Sequence, residues 1–212
     1  MPEMVKLTLI LLVVCLFSAA ALSQTYNGTK DKIAENRKAT ESIARLAVLP
    51  GATAVAEFDL STTVEASEKN EPSLLVFSGV DSSDKQIGWA FKVSEKGFSG
   101  DIDVMVGCRK NEKGLLTVTG TRVLRHSETP GLGAEMNTLA YSDVQKLGDK
   151  AVPKFQKQFI GKSVKQLSLK ALDPANGTID SMTAATISSK AFTKAVREGI
   201  EKFQAKLEEV SK

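Results

Sequence analysis

The chain has 212 residues, with 28 basic against 25 acidic side chains and a net charge of +3. That length holds one soluble domain plus an anchor, and the lysines alternate with acids instead of forming the basic stripe that nucleic-acid binding needs. One histidine, His126, and two cysteines, Cys15 and Cys108, exclude most metal-ligand sets.

Residues 7–22 form an uninterrupted run of apolar and small residues, preceded by Met4, Val5 and Lys6. From Met4 to Leu22 a helix would reach roughly 28 Å, close to a hydrocarbon core of about 30 Å. Lys6 could snorkel to the inner interface. A cleaved signal peptide fits the same residues, with Ala21-Leu22-Ser23 as a small-x-small site before Gln24. On either reading the residues after about Ser23 face the extracytoplasmic side, although only Lys6 and the amino terminus supply positive-inside charge. A polar helix is predicted over 31–49, ending at Pro50-Gly51, and residues 65–72 read as a charged connector.

Strands are predicted at 74–80, 86–93, 102–108 and 115–124. In the third, Ile102, Val104, Val106 and Cys108 alternate with Asp103, Met105 and Gly107, the period of a half-buried strand. Residues 81–85 and 111–114 have hairpin-turn composition. Cys108 reads as a small core residue with no disulfide to Cys15. Helices at 142–147 and 153–159, a short strand at 164–171 and a turn at 174–177 follow. The chain closes with an amphipathic helix whose stripe is Ile187, Ala191, Ala195, Ile200, Phe203, Leu207 and Val210.

Two segments stand out for their chemistry. Thr129-Pro130-Gly131-Leu132 has the composition of a type II turn, with proline fixing φ at the first central position and glycine supplying positive φ at the second. Asp180-Ser181-Met182-Thr183-Ala184-Ala185-Thr186 runs into the last helix, where Ser and Thr are natural N-caps and free N–H groups suit a phosphodiester. The small side chains of Ala184 and Ala185 leave the backbone approachable. Taken singly, a plain turn and a helix cap without chemistry explain these stretches as well.

Together, the two segments carry a resemblance. His126-Ser127-Glu128-Thr129-Pro130-Gly131-Leu132-Gly133 resembles the His-x-Glu-Thr-Pro-Gly-Leu-Gly signature of the FMN-binding domain in RnfG, the G component of the Rnf ion-translocating electron-transport complex. NqrC, the related component of the sodium-pumping NADH:quinone reductase, carries a similar signature. Residues 180–186 resemble the Asp-x-x-(Ser/Thr)-Gly-Ala-Thr target on which a flavin transferase esterifies FMN, except that Ala184 stands where glycine is usual. Residues 96–107 resemble the family's Gly-rich turn and strand, Phe155, Phe159 and Gly161-Lys162 its middle helix and turn, and residues 29–36 its juxtamembrane helix.

The resemblance implies an α+β protein: an N-terminal transmembrane helix, then one extracytoplasmic FMN-binding domain with an antiparallel sheet and flanking helices. Residues 1–23 would be the anchor (or signal peptide), 24–72 the juxtamembrane helix and connector, and 73–212 the FMN-binding domain. It implies FMN bound covalently to Thr186 through a phosphoester, with Asp180 and Thr183 read by the transferase beside Ala185. Glu128, Thr129 and Leu132 would line the flavin, Gly131 and Gly133 would give backbone access, and His126 would contact flavin or serve as a structural hydrogen-bonder. The implied setting is the inner (cytoplasmic) membrane, spanned once. The partners would be other subunits of the complex, the flavin transferase and the membrane, with no nucleic acid. The implied role is electron relay between ferredoxin and NAD, without a complete active site of its own. NqrC of the quinone reductase, and a membrane-anchored module keeping the fold without flavin, are the alternatives.

Overall fold

The computed structural model describes residues 2–58, 74–139 and 151–210; the connector expected at 65–72 and the helix expected at 142–147 lie outside them. The chain divides into two compact units, Met1–Thr40 and Glu41–Lys212. The first helix, α1, spans Glu3–Ala47. The apolar and polar segments predicted separately are turns of this one helix, because nothing between them breaks it. Gly28 lies between Asn27 and Thr29 within the helix, and the hydroxyls of Thr25 and Thr29 donate to the carbonyls of Ala21 and Thr25 four residues back. Its apolar side chains from Met4 to Leu22 are exposed, and the helix is long and apolar enough to cross a membrane.

In the second unit, five strands form an antiparallel meander in the order β1-β2-β3-β4-β5. They are β1 (Ala54–Phe58), β2 (Val76–Val80), β3 (Gln86–Lys96), β4 (Asp101–Lys110) and β5 (Leu116–Arg125). Strand β1 is not among the predicted strands. It is five residues long and exposed or half-buried throughout, so it carries no buried alternation to read. It also places part of the sheet ahead of residue 73. The β2–β3 turn is closed by the Asp81 N–H donating to the Lys85 carbonyl, with Asp84 at φ 57°, and the β4–β5 turn puts Gly114 at φ 75°. The free edge of β5 is covered by 161–163: the Val118 N–H donates to Lys162 at 3.0 Å, and the Gly161 N–H donates to Val118 at 2.8 Å.

Strand β4 is buried on both faces, not half-buried as its alternation suggested. Ile102, Val104, Val106 and Cys108 face the larger core; Met105 faces a second, smaller one with Ala44, Val48, Leu49, Phe77 and Ala90. Burial pushes the Cys108 thiol up to about 12, consistent with an inert core residue. Asp103 shares the smaller core's face. Burial pushes its carboxyl upward, but the Ser94 hydroxyl, Lys92 and Arg125 outweigh that and hold it below the usual carboxylate value.

The smaller core depends on glycine. The chain leaves α1 by tucking Val48 and Leu49 against the sheet. A Cβ on Gly79 would lie 2.7 Å from Leu49, one on Gly88 3.0 Å from Leu49, and one on Gly120 3.0 Å from Val48. At Gly107 it would lie 2.1 Å from the Val48 carbonyl oxygen, which already accepts a 2.6 Å hydrogen bond from the Thr119 hydroxyl. Gly79 pairs with Gly88, and Gly107 with Gly120, so the four form a trough across β2 to β5. Arg45 closes one side with its guanidinium 3.6 Å from the Phe77 ring centroid. Gly51, at φ 96°, follows Pro50 and turns the chain toward β1.

The opposite face is covered by the last helix, labelled α3 (Thr186–Val210), and by the loops before it. Phe203 packs on Phe91 and Trp89 at 5.4 Å between ring centroids, and Phe192 on Phe155 and Phe159 at 5.3 and 5.0 Å. Ala191, Ala195, Ile200 and Phe203 lie on the buried stripe as expected, but Ile187 is exposed, although Ala185, Ser188 and Ser189 around it are buried. The predicted helix at 153–159 shortens to α2 (Lys154–Lys157). The predicted strand at 164–171 is a 3-10 turn (Val164–Gln166) and a single parallel bridge from Leu169 to Ile179. Its apolar residues, Leu167 and Leu169, are buried from a loop, so the alternation reflected burial without a ladder.

Gly107→Ala is expected to cost about 1–3 kcal/mol of stability, the range of overpacking a filled core. Gly100→Ala, whose Cβ would meet nothing closer than 3.4 Å, should cost much less. Thermal melting of the two variants beside the wild type checks the difference, and equal melting temperatures would show that the trough is not tightly filled.

Candidate functional site

Three segments converge at one end of the sheet: the β3–β4 turn at 97–100, the loop at 126–133 that leaves β5, and the start of α3. Between them lies a cleft of about 340 Å³, lined by Phe98 from the first, Glu128, Thr129, Leu132 and Gly133 from the second, and residues 184–188 from the third. Most of its wall is apolar: Phe98, Leu132 and Ile187 all leave large hydrophobic surface exposed.

Glu128 joins the three segments. It is only 6% exposed. Its Oε1 accepts from the N–H groups of Phe98 (2.9 Å) and Ser99 (3.0 Å), and its Oε2 accepts a very short hydrogen bond from the Ser188 hydroxyl. Charge-assisted bonds of this kind are strong, and here they satisfy a carboxylate that would otherwise be costly to bury. Two glycines make room for it. A Cβ on Gly97 would lie 2.5 Å from Oε1, and one on Gly133 2.5 Å from Oε2 and 2.6 Å from the Ser188 oxygen. Glu128 therefore lines the cleft with its carboxylate already committed to protein donors.

The loop before Gly133 is the turn read from the sequence. The Leu132 N–H donates to the Thr129 carbonyl at 3.1 Å, and Gly131 sits at φ 75° with open space around it. Gly131 does not line the cleft, and neither does His126, which accepts the Glu128 N–H on Nδ1 at 3.3 Å, the part of a structural hydrogen-bonder.

Thr186 is the first residue of α3, exposed, and on the cleft wall. The residue flanking the helix is Ala185, so no Ser or Thr occupies the cap position that the sequence suggested. Its carbonyl accepts the first helical bond, from the Ser189 N–H at 3.0 Å. The N–H groups of Thr186, Ile187 and Ser188 precede that bond and have no acceptor within the helix. The two serines that follow on the helix are committed. Ser188 donates to Glu128, and Ser189 is buried, donating to the Ala185 carbonyl and accepting from the Met182 N–H at 2.9 Å. Thr183 is exposed but lies off the cleft. Asp180 is exposed too, paired to Lys170 at 2.9 Å, with its backbone held on both sides by the Gln158 amide.

Ala184 departs from the rules of local geometry. Its φ is 56°, in the left-handed region that disfavours any residue with a Cβ. The turn there needs the conformation that glycine adopts freely, and alanine holds it under strain. Phe98 and Ser188 were not singled out in the sequence. Phe98 sits in the glycine-rich turn that entered only as part of the resemblance at 96–107, and Ser188 is one of two adjacent serines with nothing local to distinguish them.

Ala184→Gly should raise the melting temperature, by the equivalent of roughly 0.5–1 kcal/mol, since left-handed strain of about 1–2 kcal/mol is relieved against the added chain entropy of glycine. Gly131→Val should lower stability through backbone strain alone, whereas Gly133→Ala should lower it by driving a methyl between Glu128 and Ser188. A Gly133→Ala variant that melts with the wild type would show that the Glu128 contact is loose.

Comparison with known proteins agrees with this arrangement. The FMN-binding domain family matches residues 97–201, which hold the turn, the loop and the helix start that form the cleft, and the RnfG N-terminal region matches residues 1–47. The chain is 30% identical over 199 residues to the G component of the ion-translocating oxidoreductase complex of Methanosarcina acetivorans, covering 94% of each chain. It is 31% identical to the G component of the Na(+)-translocating ferredoxin:NAD(+) oxidoreductase complex of Acetobacterium woodii, over 94% of this chain and 91% of that one. Among solved structures, the C component of the Na(+)-translocating NADH-quinone reductase of Parabacteroides distasonis aligns with a TM-score of 0.49 at 17% identity, over 74% of this chain and 78% of that one. With both regions matched and a relative aligned along nearly its whole length, the chain belongs to the RnfG family of ion-translocating oxidoreductase complexes, as a component with an FMN-binding domain.

Proposed function

We propose that this protein carries FMN as a phosphoester on the Thr186 hydroxyl and relays electrons between neighbouring subunits of its complex. The observation that carries the reading is the position of that hydroxyl: exposed, on the first turn of a 25-residue helix, at the wall of an apolar cleft. The residues fit the group. The N–H groups of Thr186, Ile187 and Ser188, which have no acceptor within the helix, and the positive end of the helix dipole would take the remaining charge of the phosphodiester. The apolar walls would take the ring. Asp180 and Thr183, both exposed, would be offered to the flavin transferase. FMN supplies the electron-transfer chemistry; the protein attaches it, orients it and sets its electrostatic surroundings.

Electron relay between a ferredoxin side and an NAD side is supported by the relative in Acetobacterium woodii, whose name states that reaction. Residues 1–23 are read as a retained anchor, with the rest of α1 leading into an FMN-binding domain on the extracytoplasmic side whose sheet begins at β1, ahead of the boundary expected at residue 73. The RnfG matches favour this assignment over NqrC of the quinone reductase.

Thr186→Ala, co-expressed with a flavin transferase, should give a folded, colourless protein. Because the cap residue is Ala185, the loss costs the helix nothing, and alanine is the better helix former. The wild type should be heavier by FMN less one water, on a peptide containing Thr186. The same mass on Thr183 or Ser188, or no flavin at all, would overturn the assignment, the latter in favour of a non-redox module.

The anchor is tested separately. The protein should stay with membranes through salt and carbonate washes and begin near Met1. A truncation starting at Thr25 should be soluble and still accept FMN, because it keeps Val48 and Leu49 in the glycine trough. A mature N-terminus at Gln24 would identify a signal peptide instead.

A further inference from the structure

We propose that the turn at 97–100 is the platform for the cofactor ring, with Phe98 packing against the isoalloxazine and Glu128 acting as the positioning residue that holds Phe98 in place. The proposal rests on Thr186 being the FMN carrier. Three observations support it.

The first is exposure. Phe98 is 71% exposed, the most of any described phenylalanine outside α1, while Phe91, Phe159, Phe192 and Phe203 are fully buried. A phenyl ring at a turn tip forgoes the burial that stabilises the others, and such surface marks a place where something else is covered. The second is rigidity. Glu128 accepts from the backbone N–H groups of both Phe98 and Ser99, and the Gly97 N–H donates to the Gly100 carbonyl at 2.8 Å, so the tip is tied down from inside and across. Because those bonds use main-chain donors, they fix where the side chain at 98 starts without depending on what it is. The third is placement. Phe98 lines the same cleft as Thr186, together with Leu132 and Ile187, which are 41% and 56% exposed. A flat, largely apolar ring tethered at Thr186 has these three side chains as its available cover. Glu128 contributes by position: its oxygens are taken by Phe98, Ser99 and Ser188, and Gly97 and Gly133 close around them.

The test uses the full-length protein loaded with FMN by a co-expressed flavin transferase, with the mass of the Thr186 peptide measured first. Flavin emission lifetime is then read per bound FMN. An indole in contact with an excited flavin quenches it by lending an electron that returns on decay, so no net oxidation occurs. Phe98→Trp should lose most of the emission. Leu115→Trp, on the β4–β5 turn at the other end of the sheet, should keep it. Both should melt like the wild type, since both side chains are exposed. Adding Glu128→Ala to Phe98→Trp should bring the emission back, whereas Glu128→Gln, which keeps an acceptor oxygen for the two N–H groups, should not. Gly97→Ala, whose methyl would displace the Glu128 oxygen, offers a second route to the same recovery. Unquenched emission from Phe98→Trp with FMN present on Thr186 would overturn the platform. Quenching that survives both Glu128→Ala and Gly97→Ala would overturn the role of Glu128. A wild type without FMN on Thr186 would instead remove the reading beneath the proposal, an outcome the mass measurement separates from the other two.

Discussion

Strand β4 is buried on both faces, and the architecture of residues 41–212 follows from satisfying that demand. One face is covered in the usual way, by an amphipathic helix whose alanines and phenylalanines meet Val104, Val106 and Phe91. Among the described residues, no second helix lies flat on the other. The corner at Val48 and Leu49 presses in instead, and it reaches the sheet only because Gly79, Gly88, Gly107 and Gly120 remove the side chains that would stand in the way. The Thr119 hydroxyl then takes up the Val48 carbonyl that this close approach would leave unpaired.

The same device recurs at the cleft on a smaller scale. Gly97 and Gly133 give up their side chains so that the Glu128 carboxylate can sit between a turn, a loop and a helix. A hydrophobic residue there could fill the volume but could not accept from two N–H groups and a hydroxyl at once. The buried charge makes the geometry specific, since removing it would strand three donors. The signature Glu-Thr-Pro-Gly-Leu-Gly thereby acquires separate physical roles. The glutamate ties, the Pro-Gly pair turns, and the last glycine makes room.

Much of this was legible in the sequence where local chemistry decides the outcome. The alternation of Ile102, Val104, Val106 and Cys108, the Pro-Gly turn and the C-terminal helix each depend on neighbours close in the chain. What escaped depends on distant partners. Nothing near Asp103 or Met105 signals that α1 ends on top of them, so β4 read as half-buried. Ala54–Phe58 is too short and too exposed to show a strand period, and becomes one by pairing with β2. Leu167 and Leu169 mimic a strand because burial alone spaces them. At the cleft, Glu128 read as a lining residue, and Phe98 and Ser188 were not read as site residues, because the bonds that give them meaning span 30 and 60 residues.

The hydroxyls at the start of α3 bear on when the protein matures. The stretch 181–189 contains five Ser and Thr residues. In an extended chain they differ little in reactivity or access. Folding withdraws Ser188 into a bond with Glu128 and Ser189 into the core, and leaves Thr186 out on the cleft. The carboxylate that retires Ser188 lies sixty residues upstream, so the discrimination exists only after the sheet, the signature loop and the last helix have met. A modification that relied on it would be a late step in biogenesis, following assembly of the domain instead of accompanying synthesis of the chain.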